Sequence, residues 1–152
     1  MKIYLGSDHG GFELKEKFKE YINRNYQNFE VEDCGAFSYD PNDDYPPIAF
    51  RTAEKVVAET SNDNLGILLC RSGSGVVIAA NKVKGVRAVE LYNERIAAHA
   101  KSHNRANLLA FSGDCLSLLE MISFFEIFIK TPQDSSERHE RRINQIINYE
   151  NR

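Results

Sequence analysis

A cysteine followed directly by a serine- and glycine-rich turn is the part of this sequence best suited to chemistry. Residues 66–82 are GILLCRSGSGVVIAANK. This pattern predicts a buried strand at Leu65–Cys70, a tight loop at Arg71–Gly75 and a helix over Val76–Val83. Such a loop directs several backbone N–H groups and the positive end of a helix dipole at one point, which favours an anion. The same geometry stabilises a thiolate on Cys70. A base or nucleophile beside an anion hole is typical of an enzyme.

Two familiar glycine-loop motifs are excluded by their spacing. The dinucleotide motif G-x-G-x-x-G would need glycine at Ile78, and a cysteine phosphatase loop would need arginine at Val76. A buried structural cysteine is as common at a strand end as a reactive one. The neighbouring Arg71 favours the reactive thiol for Cys70. We therefore predict a general anion-binding turn, to which Ser72, Gly73, Ser74 and Gly75 contribute.

Further candidates lie near both ends of the chain. Asp8 precedes a Gly-Gly pair and is better explained as a helix N-cap, whereas His9 beside it has no evident structural purpose. His103 ends a predicted helix, where interaction with the helix dipole is a sufficient explanation. Arg138 and Arg142 share one helix face and are spaced to clamp a phosphate together, although a solvated basic face has the same pattern.

The remaining reactive side chains predict no further site. His99 is interpreted as a surface or packing residue, and Cys34 and Cys115 as structural. The histidines are scattered along the chain and no Cys-x-x-Cys pair occurs, so we predict no metal site.

Short apolar runs alternate with helical patterns along the whole chain, which predicts an α/β protein. The Val, Ile and Leu content of the later strands favours a parallel sheet covered on both faces, in a three-layer α/β/α Rossmann-like sandwich. A single domain over residues 1–152 is expected, with five strands in the order 2-1-3-4-5. The predicted strands are Ile3–Gly6, Glu30–Asp33, Leu65–Cys70, Val86–Leu91 and Asn107–Phe111, and the predicted helices are Phe12–Arg24, Pro47–Glu59, Val76–Val83, Glu94–Ser102 and Leu116–Lys130.

Two segments outside this alternation are informative. Ser135–Asn151 predicts a terminal helix docked by an apolar stripe of Ile143, Ile146 and Ile147. Phe37–Pro47 is a long polar loop that is expected to rim a site.

The predicted strand order places the candidate residues together. Ligands of open parallel sheets bind beyond the carboxyl ends of the strands, where the strand order reverses. With strands one and three adjacent, the segments at Ser7–Gly11 and Cys70–Gly73 would face each other across that crevice.

Composition limits the class of protein. The chain has 152 residues, 42% hydrophobic and 27% charged, which is enough for one globular domain with a core. A net charge of −3 and a pI near 5.8 argue against nucleic acid as a partner. Three cysteines at irregular spacing suggest a reducing compartment. No signal peptide or membrane-length apolar run is present, so we predict a cytoplasmic protein that does not bind membranes.

Several motifs together resemble the type B ribose-5-phosphate isomerases, a family that also contains galactose-6-phosphate and allose-6-phosphate isomerases. The resemblance covers residues 1 to about 150. It is carried by SDHGGFELK (Ser7–Lys15), DYP (Asp44–Pro46), LLCRSGSGVVIAANKVKGVRA (Leu68–Ala88), HNRAN (His103–Asn107) and RHERR (Arg138–Arg142).

The resemblance implies an activity and a set of roles. It implies aldose–ketose isomerisation of a sugar phosphate through an enediolate, without metal or organic cofactor. It also implies a homodimer with shared active sites, with a higher oligomer left open. Cys70 would be the base, and His103 would assist ring opening. Substrate-binding roles are implied for Asp8, His9, Arg71, Ser72, Gly73, Ser74, Gly75, Asn104, Arg138 and Arg142.

The chain departs from the family pattern at three places. Arg71 replaces the usual glycine after the cysteine, Arg105 follows His103-Asn104, and Asp114 stands where an arginine usually contacts phosphate. We hypothesise that Arg71, or alternatively Arg105, restores the missing positive charge. Ribose 5-phosphate is the expected substrate, and the alternatives are a hexose 6-phosphate isomerase and a non-catalytic phosphosugar-binding module.

Overall fold

Five strands alternate with six helices in the computed structural model, within its described residues 1–58 and 63–152. None of these helices is long and apolar enough to span a bilayer. In chain order the elements are β1 (Lys2–Ser7), α1 (Phe12–Asn25), β2 (Glu30–Asp33), α2 (Tyr45–Ala58), β3 (Leu65–Cys70), α3 (Ser74–Ala80), β4 (Ala88–Glu90), α4 (Glu94–Ser102), β5 (Leu108–Ser112), α5 (Leu118–Lys130) and α6 (Glu137–Glu150).

The predicted elements are all present, with shifted ends. The bounds of β2, β3 and α4 are as predicted. The largest difference is at α3, which begins at Ser74 and ends at Ala80, before the predicted Val83. Glu59, the predicted end of the second helix, lies outside the described residues.

All strand pairs are parallel, but the order is β2-β1-β3-β5-β4, so the predicted order 2-1-3-4-5 is wrong for the last two strands. Every residue of β5 is buried, as an interior strand requires. β4 has only three residues, and Val89 and Glu90 are half-buried, which suits a sheet edge. The prediction that β1 and β3 are neighbours is confirmed.

The core lies on both faces of the sheet. Ile67 and Leu69 of β3 belong to one apolar cluster, which includes Phe18 of α1 and Phe125 of α5. Leu68, between them, belongs to a second cluster with residues of α2 and α3. Because side chains alternate along a strand, these clusters occupy opposite faces, and helices cover each of them.

The apolar stripe of α6 is only partly used. Ile143 is buried, as predicted, but Ile146 is 51% exposed and Ile147 is 37% exposed. The predicted docking by all three isoleucines is therefore wrong within one chain, and a band of apolar surface stays uncovered on this helix.

Candidate functional site

Three loops meet at the carboxyl edge of the sheet, after β1, β3 and β5. Glycines make this contact close: a Cβ on Gly10 would lie 2.4 Å from Arg71 Cγ, and a Cβ on Gly113 would lie 2.2 Å from the Gly10 carbonyl oxygen. No larger residue fits at either position without moving backbone. The prediction that the loops after β1 and β3 face each other is confirmed.

Cys70 lies at the end of β3 and is 4% exposed. Its Sγ accepts a hydrogen bond of 3.1 Å from the Gly73 N–H. Gly73 has φ +84°, a conformation that glycine adopts without strain and that turns its N–H back towards the sulfur. The turn therefore places a backbone N–H donor at the sulfur of Cys70.

The rest of the turn is held by short-range contacts and by two residues that the sequence analysis missed. Ser72 Oγ accepts from the Ser74 N–H at 3.3 Å, and Ser74 Oγ–H donates to Glu90 Oε2 at 3.1 Å. A Cβ on Gly75 would lie 2.8 Å from the Tyr45 ring. No sequence spacing linked Glu90 or Tyr45 to this turn, because their approach depends on the strand order and on the course of a loop.

Asp8 and His9 occupy the loop after β1 as predicted. Asp8 accepts a hydrogen bond of 2.9 Å from the Gly10 N–H, and burial raises the pKa of its carboxyl group. His9 contacts Asp43, which accepts from the His9 backbone N–H at 2.9 Å and lies 2.6 Å from the ring Nδ1. Asp43 belongs to the Phe37–Pro47 loop, which therefore does rim this group of residues. The sequence analysis selected the loop but not Asp43.

A cavity of about 380 Å³ opens beside these residues. Its wall includes the basic side chains of His9, Lys17 and Arg71 and one acidic residue, Glu13. Arg71 and Asp114 are both exposed, with 3.7 Å between Nη1 and Oδ1. The guanidinium therefore stands at the position where Asp114 would otherwise leave an uncompensated negative charge.

His103 is in a second group of residues, centred on a stack of three imidazoles. Its ring lies 4.3 Å from that of His99 and 4.2 Å from that of His139, measured between centroids. His139 is buried, and its Nε2 accepts from Arg138 Nε at 3.2 Å. The sequence analysis missed His139 and described the histidines as scattered, because the tertiary packing of α6 against the end of α4 has no local sequence signal.

A cavity of about 540 Å³ borders this stack and is lined by His103, Asn104 and Arg142, among others. Arg138 and Arg142 are both exposed on α6. Arg105 forms an ion pair with Glu140 of α6, so its charge is already compensated within the chain.

The two groups of residues lie at opposite edges of the sheet. Cys70 ends β3, whereas His103 precedes the start of β5. The Gly66 N–H at the start of β3 donates to the carbonyl of Asn107 at 2.9 Å, which marks the amino edge. Cys70 is four residues after Gly66 along the strand, a rise of about 13 Å. We call these two groups of residues, one with Cys70 and one with His103, the two candidate half-sites.

Comparison with known proteins identifies the family of this chain. The model of the ribose/galactose isomerase family matches residues 3–146. The chain belongs to this family. Its relatives include ribose-5-phosphate isomerase B of Mycolicibacterium paratuberculosis, 41% identical over 99% of this chain and 92% of the relative. A probable ribose-5-phosphate isomerase B of Mycoplasma genitalium is 43% identical over 97% of this chain and 95% of the relative.

Solved structures of this family have the same fold. The crystal structure of Mycoplasma genitalium ribose-5-phosphate isomerase B with bound ribulose-5-phosphate aligns with a TM-score of 0.91 and 42% identity, covering 99% of this chain and 96% of that one. The type B enzyme of Trypanosoma cruzi aligns with a TM-score of 0.91 and 33% identity, covering 99% of each chain.

Two clusters in this family member bring together side chains of metal-binding type: His103 with Asp134 and His139, and Asp8 with His9 and Asp43. The rings of His103 and His139 are nearly parallel, 7° apart, so their planes cannot both contain one ion. The His9 Nδ1 is engaged by Asp43. As arranged, neither cluster offers a set of free ligand atoms.

Proposed function

We propose that this single-domain chain interconverts ribose 5-phosphate and ribulose 5-phosphate through an enediolate, with Cys70 as the base. The chain is an aldose–ketose isomerase of the ribose-5-phosphate isomerase B type. The observation that carries the role of Cys70 is the Gly73 N–H directed at its sulfur at the carboxyl edge of the sheet. A base placed there has substrate access from the crevice where open α/β sheets bind ligands.

The reaction moves one proton between adjacent carbons. The Cys70 thiolate takes the proton from C2 of the open-chain aldose, and the electrons of that C–H bond form the enediolate with negative charge on O1. A proton then passes from O2 to O1, a transfer that the Ser72 hydroxyl is suited to assist, and the resulting thiol returns the first proton to C1, which leaves a carbonyl at C2 and yields the ketose. N–H donors of the 71–75 turn stabilise the oxyanion, and each such donor contributes roughly 10²–10³-fold to turnover in enzymes of this type. No redox partner and no bound cofactor enter this balance.

Basic side chains at both half-sites suit the phosphate. Arg71, the residue after Cys70, and His9 line the cavity of about 380 Å³ at the carboxyl edge. Arg142 lines the cavity beside His103, and Arg138 lies on the same helix. Asp8, in the loop after β1, and Asn104, which lines the cavity beside His103, are polar residues whose hydrogen-bonding atoms suit the sugar hydroxyls. Arg71 supplies positive charge at the position of Asp114, as hypothesised from the sequence.

The site is complete only in a homodimer. Ring opening and proton transfer occur at the same end of the sugar, so Cys70 and the ring-opening histidine must both lie within about 3–4 Å of it. Cys70 ends β3 and His103 precedes the start of β5, with about 13 Å of strand rise between those edges, which supports a site built from two chains over one built by a single chain. In the homodimer, Cys70 works with His103 of the partner subunit. Exposed apolar side chains suit such an interface, among them Ile78 on α3 (63% exposed) and Tyr149 on α6 (69%).

The test is isotope exchange in the purified protein. Metal-free protein is incubated with ribose 5-phosphate in deuterated water, and ketose formation is followed by NMR beside the Cys70→Ala variant. We expect the wild-type protein to form ribulose 5-phosphate with deuterium at C1, the carbon that receives the proton, and the variant to form none. Absence of conversion by folded wild-type protein, with turnover of allose 6-phosphate or galactose 6-phosphate, would reject the pentose. Binding without exchange of any of the three would reject isomerisation. The expected compartment is the cytoplasm, whose reducing potential keeps a cysteine base free.

A further inference from the structure

The His9 side chain is held by one carboxylate from a distant loop. Asp43 Oδ1 lies 2.6 Å from His9 Nδ1 and also accepts from the His9 backbone N–H at 2.9 Å. The two side chains are 18% and 15% exposed, so solvent competes little for these contacts. One oxygen thus fixes both the backbone and the ring of the same residue.

This contact determines which ring nitrogen faces the cavity. An ionised carboxylate only accepts hydrogen bonds, so His9 Nδ1 must carry a proton to donate to Asp43. Nε2, on the opposite side of the ring, is then left for the cavity that His9 lines with Arg71. When Nε2 also carries a proton, the ring is an imidazolium whose charge Asp43 balances, and its free N–H can be donated to an anion.

The second oxygen of Asp43 increases this effect. Asp43 Oδ2 is buried and has no hydrogen-bond partner among the described residues. A buried carboxylate oxygen that no donor satisfies keeps its full negative potential, and His9 is the basic ring in contact with this carboxylate.

The loop that carries Asp43 is itself fixed. Asp40 accepts from the Asn42 N–H through Oδ1 at 2.9 Å, and its carbonyl accepts from the Asp43 N–H at 3.1 Å. Tyr39 packs its ring against His9 edge to face, with 6.3 Å between centroids. Asp43 is therefore presented by a turn and not by a freely rotating tail.

From this geometry we infer that Asp43 is a positioning residue for substrate binding: it holds His9 with Nδ1–H on Asp43 and Nε2 directed at the phosphate group of the substrate. The inference rests on the proposed function for the identity of the substrate. Its structural content, the orientation and tautomer of His9, is independent of turnover.

The test compares Asp43→Asn with Asp44→Asn, which removes a charge from the adjacent, exposed position of the same loop. ¹⁵N NMR of the imidazoles in the ligand-free wild type should show His9 as the Nδ1–H tautomer or the imidazolium. Asp43→Asn should shift its neutral form towards Nε2–H, the form favoured by an unconstrained imidazole. The His9→Gln variant assigns the resonance.

Inorganic phosphate is the binding probe, and its Kd is read from the same spectra. Asp43→Asn should raise this Kd and the KM for ribose 5-phosphate by about tenfold, the value of one charge-assisted hydrogen bond, with kcat changed less than about twofold. Asp44→Asn should change neither.

An Nε2–H tautomer in the wild type, or an unchanged phosphate Kd in Asp43→Asn, would overturn the inference. An equal loss of kcat and thermal stability with an unchanged tautomer would show a structural role only, and would overturn it too. If wild-type protein turns over no sugar phosphate, the proposed function fails, while the tautomer and the phosphate Kd still decide the role of Asp43.

Discussion

Mixing two inactive variants should restore activity if the two half-sites are combined between chains. The variants are Cys70→Ala, which lacks the base, and His103→Asn, which lacks the ring-opening group. Each is expected to be nearly inactive alone, because every site in its homodimer has the same defect. The structure motivates the experiment by placing Cys70 and His103 at opposite edges of one sheet.

The expected yield follows from the geometry of a two-fold dimer. After subunit exchange at equal amounts, half of the dimers contain one chain of each kind. In such a dimer one site pairs an intact Cys70 with an intact His103, while the other site has both substitutions. One active site in half of the dimers gives about a quarter of the wild-type activity.

The assay follows ribulose 5-phosphate formation after the variants are unfolded together and refolded, or incubated at a concentration that allows exchange. At saturating substrate the mixture should have a quarter of the wild-type activity. Its KM should be that of wild type, because the restored sites are wild type in composition. Mixing wild type with the double variant Cys70→Ala/His103→Asn is the control. In that mixture each mixed site carries one defect, so only wild-type homodimers contribute and the total is again about a quarter.

The reasoning is refuted if, in samples whose chains are shown by native mass spectrometry to exchange, the mixture of single variants stays inactive and the control mixture keeps half of the wild-type activity. That result would mean that Cys70 and His103 of the same chain serve one site. The separation of about 13 Å along β3 would then have to be closed by a rearrangement that the fold does not show.

Two further substitutions test other parts of the argument. Arg71→Gly should raise the KM for ribose 5-phosphate roughly 10- to 100-fold, since a charge-assisted contact contributes about 1.5–3 kcal/mol. Adding Asp114→Arg to this variant should recover most of the lost affinity. An unchanged KM of the single variant in steady-state assays would show that Arg71 does not bind the phosphate. Lys15 is fully buried, and its Nζ donates to Asp33 and to the Ala36 carbonyl. Lys15→Met should therefore lower the free energy of unfolding in urea by about 2–3 kcal/mol, somewhat less than breaking a fully buried pair. Lys17→Met, on the exposed face of the same helix, should stay within roughly 0.5 kcal/mol of wild type.

The elements of the fold were predictable because their signals are local. The continuous apolar run at Leu65–Cys70 and the alternation of short strands with helices both survive in the structure with small shifts. The order of β4 and β5 was not predictable from the same signals. It depends on which strand is buried on both faces, and the two charged residues of the predicted strand at Val86–Leu91, Arg87 and Glu90, were not weighed against its uncharged neighbour. Only three of its residues pair, and Glu90 marks it as an edge strand.

The candidate site, like the fold, was predictable only in part from local sequence signals. The Cys70 turn was predicted from adjacent residues, and the structure confirms its form, with Gly73 returning an N–H to the sulfur. Asp43, Glu90 and His139 were missed because each reaches the site from another part of the chain. Their contacts arise from loop course, strand order and helix docking, none of which leaves a fixed spacing in the sequence.

The separation of the candidate residues between two edges of the sheet explains why one chain shows several open cavities lined by basic residues and not a single enclosed pocket around all of them. A sugar phosphate needs a base, an oxyanion hole, a ring-opening group and a counter-charge within a few ångströms. The proposed base and oxyanion hole lie at the carboxyl edge and the proposed ring-opening histidine at the amino edge, with basic side chains at both. Ile146 and Ile147 expose apolar surface on the helix that also carries the exposed Arg138 and Arg142, which is unfavourable for an isolated domain. In the proposed homodimer that helix would meet the turn of a second copy, so we expect activity to fall with dilution below the dissociation constant of the dimer while the fold of each chain persists.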